Sequence, residues 1–238
     1  MALYRDHGIV LRTYKLAEAD RIVVLLTEGH GKVRAVAKGA RKSGSRFSAR
    51  LEPPSHVALQ LYEGRELDTV TQAETVDHFR AVKDDLDRLT KAASLLEVVD
   101  QVAQEREPDP GLYQLLLGGL RALAADDAAL LVASFFLKLL AHDGVRPIVE
   151  GCAVCGRDDG LCAFDLLDGG LLCREHRRGL PVSAEAVDLL QLVLGGRLAT
   201  ALQVPSSPAT TEVDHLATHA MEQHLERRLK SVRLLGQG

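Results

Sequence analysis

Two constellations in this chain carry side chains that can do chemistry. The first is Cys152-Ala-Val-Cys155, followed after seventeen residues by Cys173-Arg-Glu-His176. Two such pairs at this separation match the spacing of structural zinc ribbons, in which each pair sits on a tight turn and spans one edge of a ligand tetrahedron. Gly156 follows the first pair, where a turn with positive φ wants it, and Asp168-Gly169-Gly170 supplies a hairpin turn between the pairs. Three thiolates on Zn²⁺ leave one net negative charge, and Arg157, Arg174, Arg177 and Arg178 are near enough in sequence to offset it. One structural zinc ion on Cys152, Cys155, Cys173 and His176 is therefore expected. Cys162 or a nearby carboxylate stands as the alternative to His176; otherwise Cys162, between Leu161 and Ala163, reads as a small buried hydrophobe. A disulfide does not suit a cytosolic chain, and redox catalysis would want one CxxC in a thioredoxin-like setting that is absent here.

The second constellation is a run of seven cations between Gly29 and Leu51: Lys32, Arg34, Lys38, Arg41, Lys42, Arg46 and Arg50. No carboxylate interrupts it, although the whole chain has a net charge of -4. A local field rather than the global charge decides where a polyanion docks. In GKVRAVAKG a period of two places Lys32, Arg34 and Lys38 on one face of a strand and Val33, Ala35 and Ala37 on the other. The loop ARKSGSRFSAR then continues the charge. Nucleic acid is the partner this surface suggests, with Tyr14, Phe47 and Tyr62 as aromatics able to stack on bases.

Catalysis finds no comparable signal. There is no GxxxxGK[ST] phosphate loop and no GxSxG, no carboxylate pair stands out, and zinc with four protein ligands has no open position for water. His215 and His219 are four apart on a helical segment, but such isolated pairs usually bind nothing. The reading is a binding protein, not an enzyme, with no small-molecule substrate.

These residues need elements to hold them. GIVLRTY, RIVVLLT, KVRAVAK, HVALQLY and ELDTVTQAE are five strand-like runs separated by turn residues. Five short strands in this length suit a small closed barrel of the OB type; an open sheet has the same periodicity. After His78 the period becomes helical: Leu86, Leu89, Ala93, Leu96, Val99 and Ala103 recur at threes and fours until Pro108 and Pro110. Further helices are expected over Gly111–Ala124, over Ala128–His142 with Asp126 or Asp127 as its cap, over Ala184–Leu194, and over Val213–Leu234. Ser206-Ser207-Pro208 reads as a turn or linker. The expected architecture is α+β: an OB-fold domain over 1–78, an α-helical domain over 79–150 and 180–238, and a zinc module over 151–179 inserted into it. Aromatics are only 4% with no Trp, so the cores must be built from Leu, Val and Ala. The N-terminus lacks a signal-peptide run and the longest apolar stretch, Ala128–Leu137, is too short to cross a bilayer, so a cytoplasmic protein without a membrane partner is expected.

The run GIVLRTYKLAEADRIVVLLTEGHGKVRAVAKGARKSGSRFSARLEP resembles the RecO family of bacterial recombination mediators. AKGARK…SRF is the most specific part, and the likeness continues through GRELDTVTQAE, the helical middle, HDGVRP, and C-x-x-C…GG-x-x-C. Pro54 stands where an aromatic commonly follows LEP, and His176 where Cys is more common. The resemblance implies an OB-fold, a helical domain and a zinc module. It also implies binding of single- and double-stranded DNA, annealing of complementary strands, and assistance in loading recombinase on DNA coated by single-strand-binding protein. Implied partners are the ring-forming protein RecR and the C-terminal tail of the single-strand-binding protein. A zinc-stabilised interaction scaffold and an OB-type RNA-binding factor are the alternatives that the residues themselves leave open.

Overall fold

The computed structural model of the chain describes residues 2–45 and 47–231. They form two compact units that divide between Ala125 and Asp126. The first unit opens with β1 (Leu3–Leu16), β2 (Asp20–Thr27), β3 (Gly31–Ala37), β4 (His56–Tyr62) and β5 (Asp68–Asp77). These close in the order β1-β2-β3-β5-β4. All pairings are antiparallel except β3 with β5, where Ala35 meets Asp68 and Val36 meets Thr69. That is the OB topology, and closure decides against the open sheet. Closure depends on β1 serving two neighbours: its first half pairs with β4, from Leu3 opposite Tyr62 to Ile9 opposite His56, and its second half pairs with β2 as far as Leu16 opposite Asp20.

Alternation fills the barrel. Val10, Val23, Leu25, Val33, Ala35, Val57, Leu59, Leu61, Val70 and Ala73 point inward, and Phe47 and Leu51 from the β3–β4 connection join the same cluster. Beta-branched and small residues dominate because a five-stranded barrel encloses little volume. In β1 the register slips by one between Val10 and Arg12. Leu11 is thus an extra residue, and beyond it the two faces of the strand exchange. Val24 and Leu26 of β2, which point outward, are nevertheless buried, so β2 is covered on both faces.

Three helices complete this unit: α1 (Arg80–Lys83), α2 (Leu86–Val102) and α3 (Pro110–Ala125). Asp85 caps α2 by accepting from the Arg88 amide at 3.0 Å. The helix packs against β1 and α3. It ends well before Pro108 because Ala103 turns extended and the chain runs alongside β3: the Lys32 amide donates to the Gln104 carbonyl at 3.1 Å, and the Arg106 amide to the Lys32 carbonyl at 3.0 Å.

The second unit holds α4 (Leu131–His142), a sheet of order β7-β6-β8 made from β6 (Leu161–Asp165), β7 (Gly170–Cys173) and β8 (Leu180–Pro181), then α5 (Ala184–Leu194), α6 (Leu198–Ala201) and α7 (Pro208–His224). From Leu131 to Leu140 only Lys138 of α4 escapes burial, and α4 packs against both α5 and α7. Neither Asp126 nor Asp127 caps α4; Leu130 occupies that position without a side-chain bond. Ser207, read as linker, is instead the cap of α7 in a reciprocal capping box with Thr210. The expected continuation of α7 to Leu234 fails within the described residues. Glu226 has φ of 51°, in the left-handed region, and the Leu229 amide donates to the Glu222 carboxylate at 2.8 Å rather than to a helical carbonyl. Val232 and Leu234 lie outside the described residues. No helix among the described residues is long and apolar enough to cross a membrane.

Candidate metal centre and nucleic-acid interface

The cysteine pairs converge. Cys152 and Cys155 lie on a turn in which the Gly156 amide donates to the Cys152 carbonyl at 2.8 Å and the Cys152 amide to the Arg157 carbonyl at 2.7 Å. Gly156 supplies the positive φ, 75°, that this turn requires. Cys173 ends β7, and a 3₁₀ turn over Arg174–His176 brings the imidazole back over it. The four donor atoms all lie within 4.8 Å of one another, so the set can hold a metal ion. His176 Nδ1 is 3.4 Å from Cys173 Sγ and 3.7 Å from Cys152 Sγ, and Cys155 Sγ is 3.9 Å from Cys173 Sγ. Cys162 is not one of the group; it occupies the irregular position of β6, between Leu161 and Ala163, and its carbonyl accepts from the Val182 amide at 3.0 Å.

Electrostatics at the centre favour the thiolate at Cys152 and Cys173 but not at Cys155, where the Arg157 amide lowers the thiol and burial with the neighbouring Cys152 and Cys173 raises it by more. Burial pushes the Cys152 thiol up, but the backbone amides of Cys173, Cys155 and Val154 outweigh it and hold the thiol down at about 6. Cys173 is held below its ordinary value by the His176 side chain, and His176 is raised in turn by Cys173 and Cys152. Arg157 is raised chiefly by Glu175 and also by Asp159 and Cys173. Arg157 pairs with Glu175 at 2.8 Å, and Arg178 pairs with Asp165 at 3.7 Å and with Asp168. Arg174 and Arg177 are exposed.

The cation run divides into two sets. On β3 Arg34 is exposed between buried Val33 and Ala35, and Lys38 beyond the strand is exposed too, as the alternation requires. Arg41 and Lys42 are exposed on the following loop. That loop is pinned to the β1–β2 turn: the Arg41 amide donates to the Ala19 carbonyl at 2.8 Å, its guanidinium to the Ala17 carbonyl at 3.0 Å, and the Gly39 amide to the Asp20 carboxylate at 2.7 Å. Among the described residues none forms a hydrogen bond or ion pair with the side chains of Arg34, Lys38 or Lys42. Lys32 and Arg50 belong to the other set. The Lys32 ammonium donates to the Asp100 carbonyl at 2.8 Å, and the Arg50 guanidinium to the Ala73 carbonyl at 2.9 Å; both side chains are half-buried. Arg46 lies outside the described residues.

The aromatics divide as well. Phe47 is buried in the barrel core and offers no face to a base. Tyr62 is exposed at the end of β4, opposite Leu3 and Thr69. Tyr14 is exposed on β1, next to an arginine that simple alternation assigns to the barrel interior. Arg12 instead points outward: it pairs across β1–β2 with Val24, which pairs across β2–β3 with Arg34, so Arg12 and Arg34 share a row. Its guanidinium lies 5.0 Å over the Tyr14 ring, and its Nε is 2.9 Å from the Asp100 carboxylate.

Comparison with known proteins finds relatives along nearly the whole chain. A family profile described as Recombination protein O N terminal matches residues 1–79, and one described as Recombination protein O C terminal matches residues 83–233. A DNA repair protein RecO from Nocardioides sp. is 46% identical over 241 residues, covering 97% of this chain and 98% of that protein. A DNA repair protein RecO from Frankia casuarinae is 43% identical over 238 residues, covering 98% of each.

Proposed function

This chain belongs to the RecO family of DNA repair and recombination proteins, and from that premise we propose that it works without catalysis, as a strand-annealing mediator that binds DNA through the outer surface of its barrel. The observation that carries the reading is the set of exposed cations Arg34, Lys38, Arg41 and Lys42, three of which have no partner among the described residues. Arg46, which lies outside the described residues, is kept in the proposed site from its place in the sequence alone. Lys32 and Arg50 remain in the proposed site as cations that support it from below. Cations on a rigid strand and a pinned loop neutralise phosphates and release their counterions. Such contacts position the strand without reading its sequence. Lowering the repulsion between two phosphate chains lets complementary strands approach, which is the physical requirement for annealing.

The metal centre is assigned to a structural zinc ion. A tetrahedron with Zn–S of about 2.3 Å and Zn–N of about 2.0 Å has S···S edges near 3.8 Å and S···N edges near 3.5 Å. Three of the separations, 3.4, 3.7 and 3.9 Å, fit those edges, and all four donors lie within 4.8 Å of one another. Zinc would supply folding free energy to the small sheet, and four protein ligands leave no position for a reacting water. RecR and the tail of the single-strand-binding protein are proposed as partners, and the cytoplasm as the location.

The test is annealing of complementary oligonucleotides coated with single-strand-binding protein, comparing wild type with an Arg41/Lys42/Arg46→Ala triple variant whose fold is checked by circular dichroism. Annealing by wild type that the variant loses is expected. No annealing by a folded, metal-loaded wild type overturns the mediator reading.

A further inference from the structure

The outer face of β1, β2 and β3 carries an ordered pattern that charge alone does not explain. Cross-strand pairing sets three rows side by side. Arg12, Val24 and Arg34 form one; Tyr14, Ile22 and Val36 form the next; Lys38 follows Val36 two residues further along the chain. Rows two residues apart lie about 6.6 Å from one another, and strands about 4.8 Å apart make a three-residue row roughly 10 Å wide. An apolar row able to seat one planar base is therefore flanked by arginines on one side and, on the other, by Lys38 with Asp20, whose carboxylate is held by the Gly39 amide. Tyr14 keeps 42% of its surface in solvent, while Ile22 and Val36 are half-buried beside it. Arg12 covers the ring at 5.0 Å and is itself tethered to Asp100, so the ring is held in one orientation.

We propose that Tyr14, with Ile22 and Val36 as its floor, is a base-stacking platform that gives this surface a preference for unpaired DNA. The inference rests on the DNA-binding reading above and adds what phosphate contacts do not supply: discrimination between strand states. A base in a duplex already has both faces covered, whereas a base in a single strand has a face to give. Stacking on an aromatic ring tolerates every base, in keeping with a protein that must act at any sequence. Phe47 is in the barrel core, and Tyr62 continues the same row two strands beyond Val36, through Thr69 of β5, so of the two exposed aromatics Tyr14 is the one that stands beside Ile22 on the strands that carry Arg12 and Arg34.

The experiment is fluorescence anisotropy of the full chain with three probes of equal length: an oligo-dT strand, the same strand with every base replaced by an abasic site, and a duplex. Wild type is expected to bind oligo-dT roughly 5- to 150-fold more tightly than the abasic strand, the range that one stacked base confers. Tyr14→Ala is expected to erase that ratio while leaving the salt slope and duplex affinity unchanged, and Tyr14→Phe to preserve it. Equal wild-type affinity for oligo-dT and abasic strands overturns the platform even if both bind with a steep salt slope. The same is true of a Tyr14→Ala variant that keeps the wild-type ratio. No salt-dependent binding of any probe by wild type overturns the DNA-binding reading itself, and the platform with it. Because the abasic comparison is made first on wild type, it does not depend on how well any variant folds.

Discussion

Arg106 returns from the end of α2 to grip Asp68 at the start of β5, donating to both carboxylate oxygens at 3.0 and 2.6 Å. Asp68 is fully buried and also accepts from the Tyr4 hydroxyl and, at 2.9 Å, from the Gly64 amide. Arg106 holds φ at 64°, a conformation costly for a side-chain-bearing residue, and the bidentate pair stabilises it there. The barrel and the segment following α2 are thereby locked together.

Cutting this pair has a definite cost. Arg106→Ala leaves a buried carboxylate without its cation and is expected to lower unfolding free energy by about 3 kcal/mol, the low end for a broken buried pair because Arg106 itself is 42% exposed. Burial pushes the Asp68 carboxyl up, but Arg106, Tyr4 and the Gly64 amide outweigh it and hold it below the usual range. Its contribution is thus complete above the ordinary carboxylate pKa and is lost as pH falls through the depressed folded value. Urea titrations of wild type and Arg106→Ala from about pH 7 to about pH 3 should converge at the acid end; parallel curves would remove Asp68 from the explanation.

A second pH dependence comes from His56, which is buried on β4 with Nε2 2.8 Å from the Tyr113 hydroxyl on α3. Burial lowers its pKa, and His7 and Arg121 add to the effect. The unfolded chain then takes up a proton that the folded chain refuses, so stability is complete above about pH 6.5 and declines as pH falls below it. His56→Gln keeps a polar partner for Tyr113 and has nothing to titrate. Melting temperatures measured at about pH 7.5 and about pH 5.5 should fall further in wild type than in His56→Gln.

Removal of the metal should separate Cys152 from Cys162. Chelation or Cys152→Ser is expected to abolish bound zinc and to lower the melting temperature sharply, because metal binding here is folding free energy. Cys162→Ser should keep one zinc per chain, since Cys162 lies outside the donor group. Metal analysis by mass spectrometry decides both points, and a Cys162→Ser protein that lost zinc would require a different ligand set.

The two sets of cations should respond differently to substitution. Replacing Arg34, Lys38 and Lys42 together by Ala is expected to reduce the single-strand salt slope by about 2, at roughly 0.7 per phosphate. Lys32→Met should leave the slope nearly unchanged and cost about 1 kcal/mol of stability, because its ammonium is already bonded to the Asp100 carbonyl. Binding titrations across a salt series, paired with denaturant melts, measure the two effects independently.

Much of this was legible from residue type and spacing. The alternation in β3 placed Arg34 and Lys38 outside and Val33 and Ala35 inside, and the double pair of candidate ligands located the cluster of four donors that can hold a metal ion, because both signals are local. What stayed hidden depended on pairing. Counting by twos from Val10 assigns Arg12 to the barrel interior; the extra residue at Leu11 reverses it, and only the register with β2 reveals that. Lys32 and Arg34 are alike in sequence, yet a carbonyl at the end of α2 occupies one and not the other. The end of α7 was missed for a similar reason: apolar residues at helical spacing continue past Glu226, whose left-handed backbone breaks the helix without any glycine or proline to announce it.

The division of β1 between two neighbours has a consequence for synthesis on the ribosome. Its second half can pair with β2 almost at once, but its first half must wait for β4, whose first residue is His56. At roughly 5–20 residues per second that delay is about 2–10 s, during which a bare strand edge is open to any neighbouring nascent chain. The residues in the waiting half include Arg5, Asp6 and His7. Charge on an unpaired edge discourages mispairing, so the polar start of β1 guards the chain before there is a barrel for it to close.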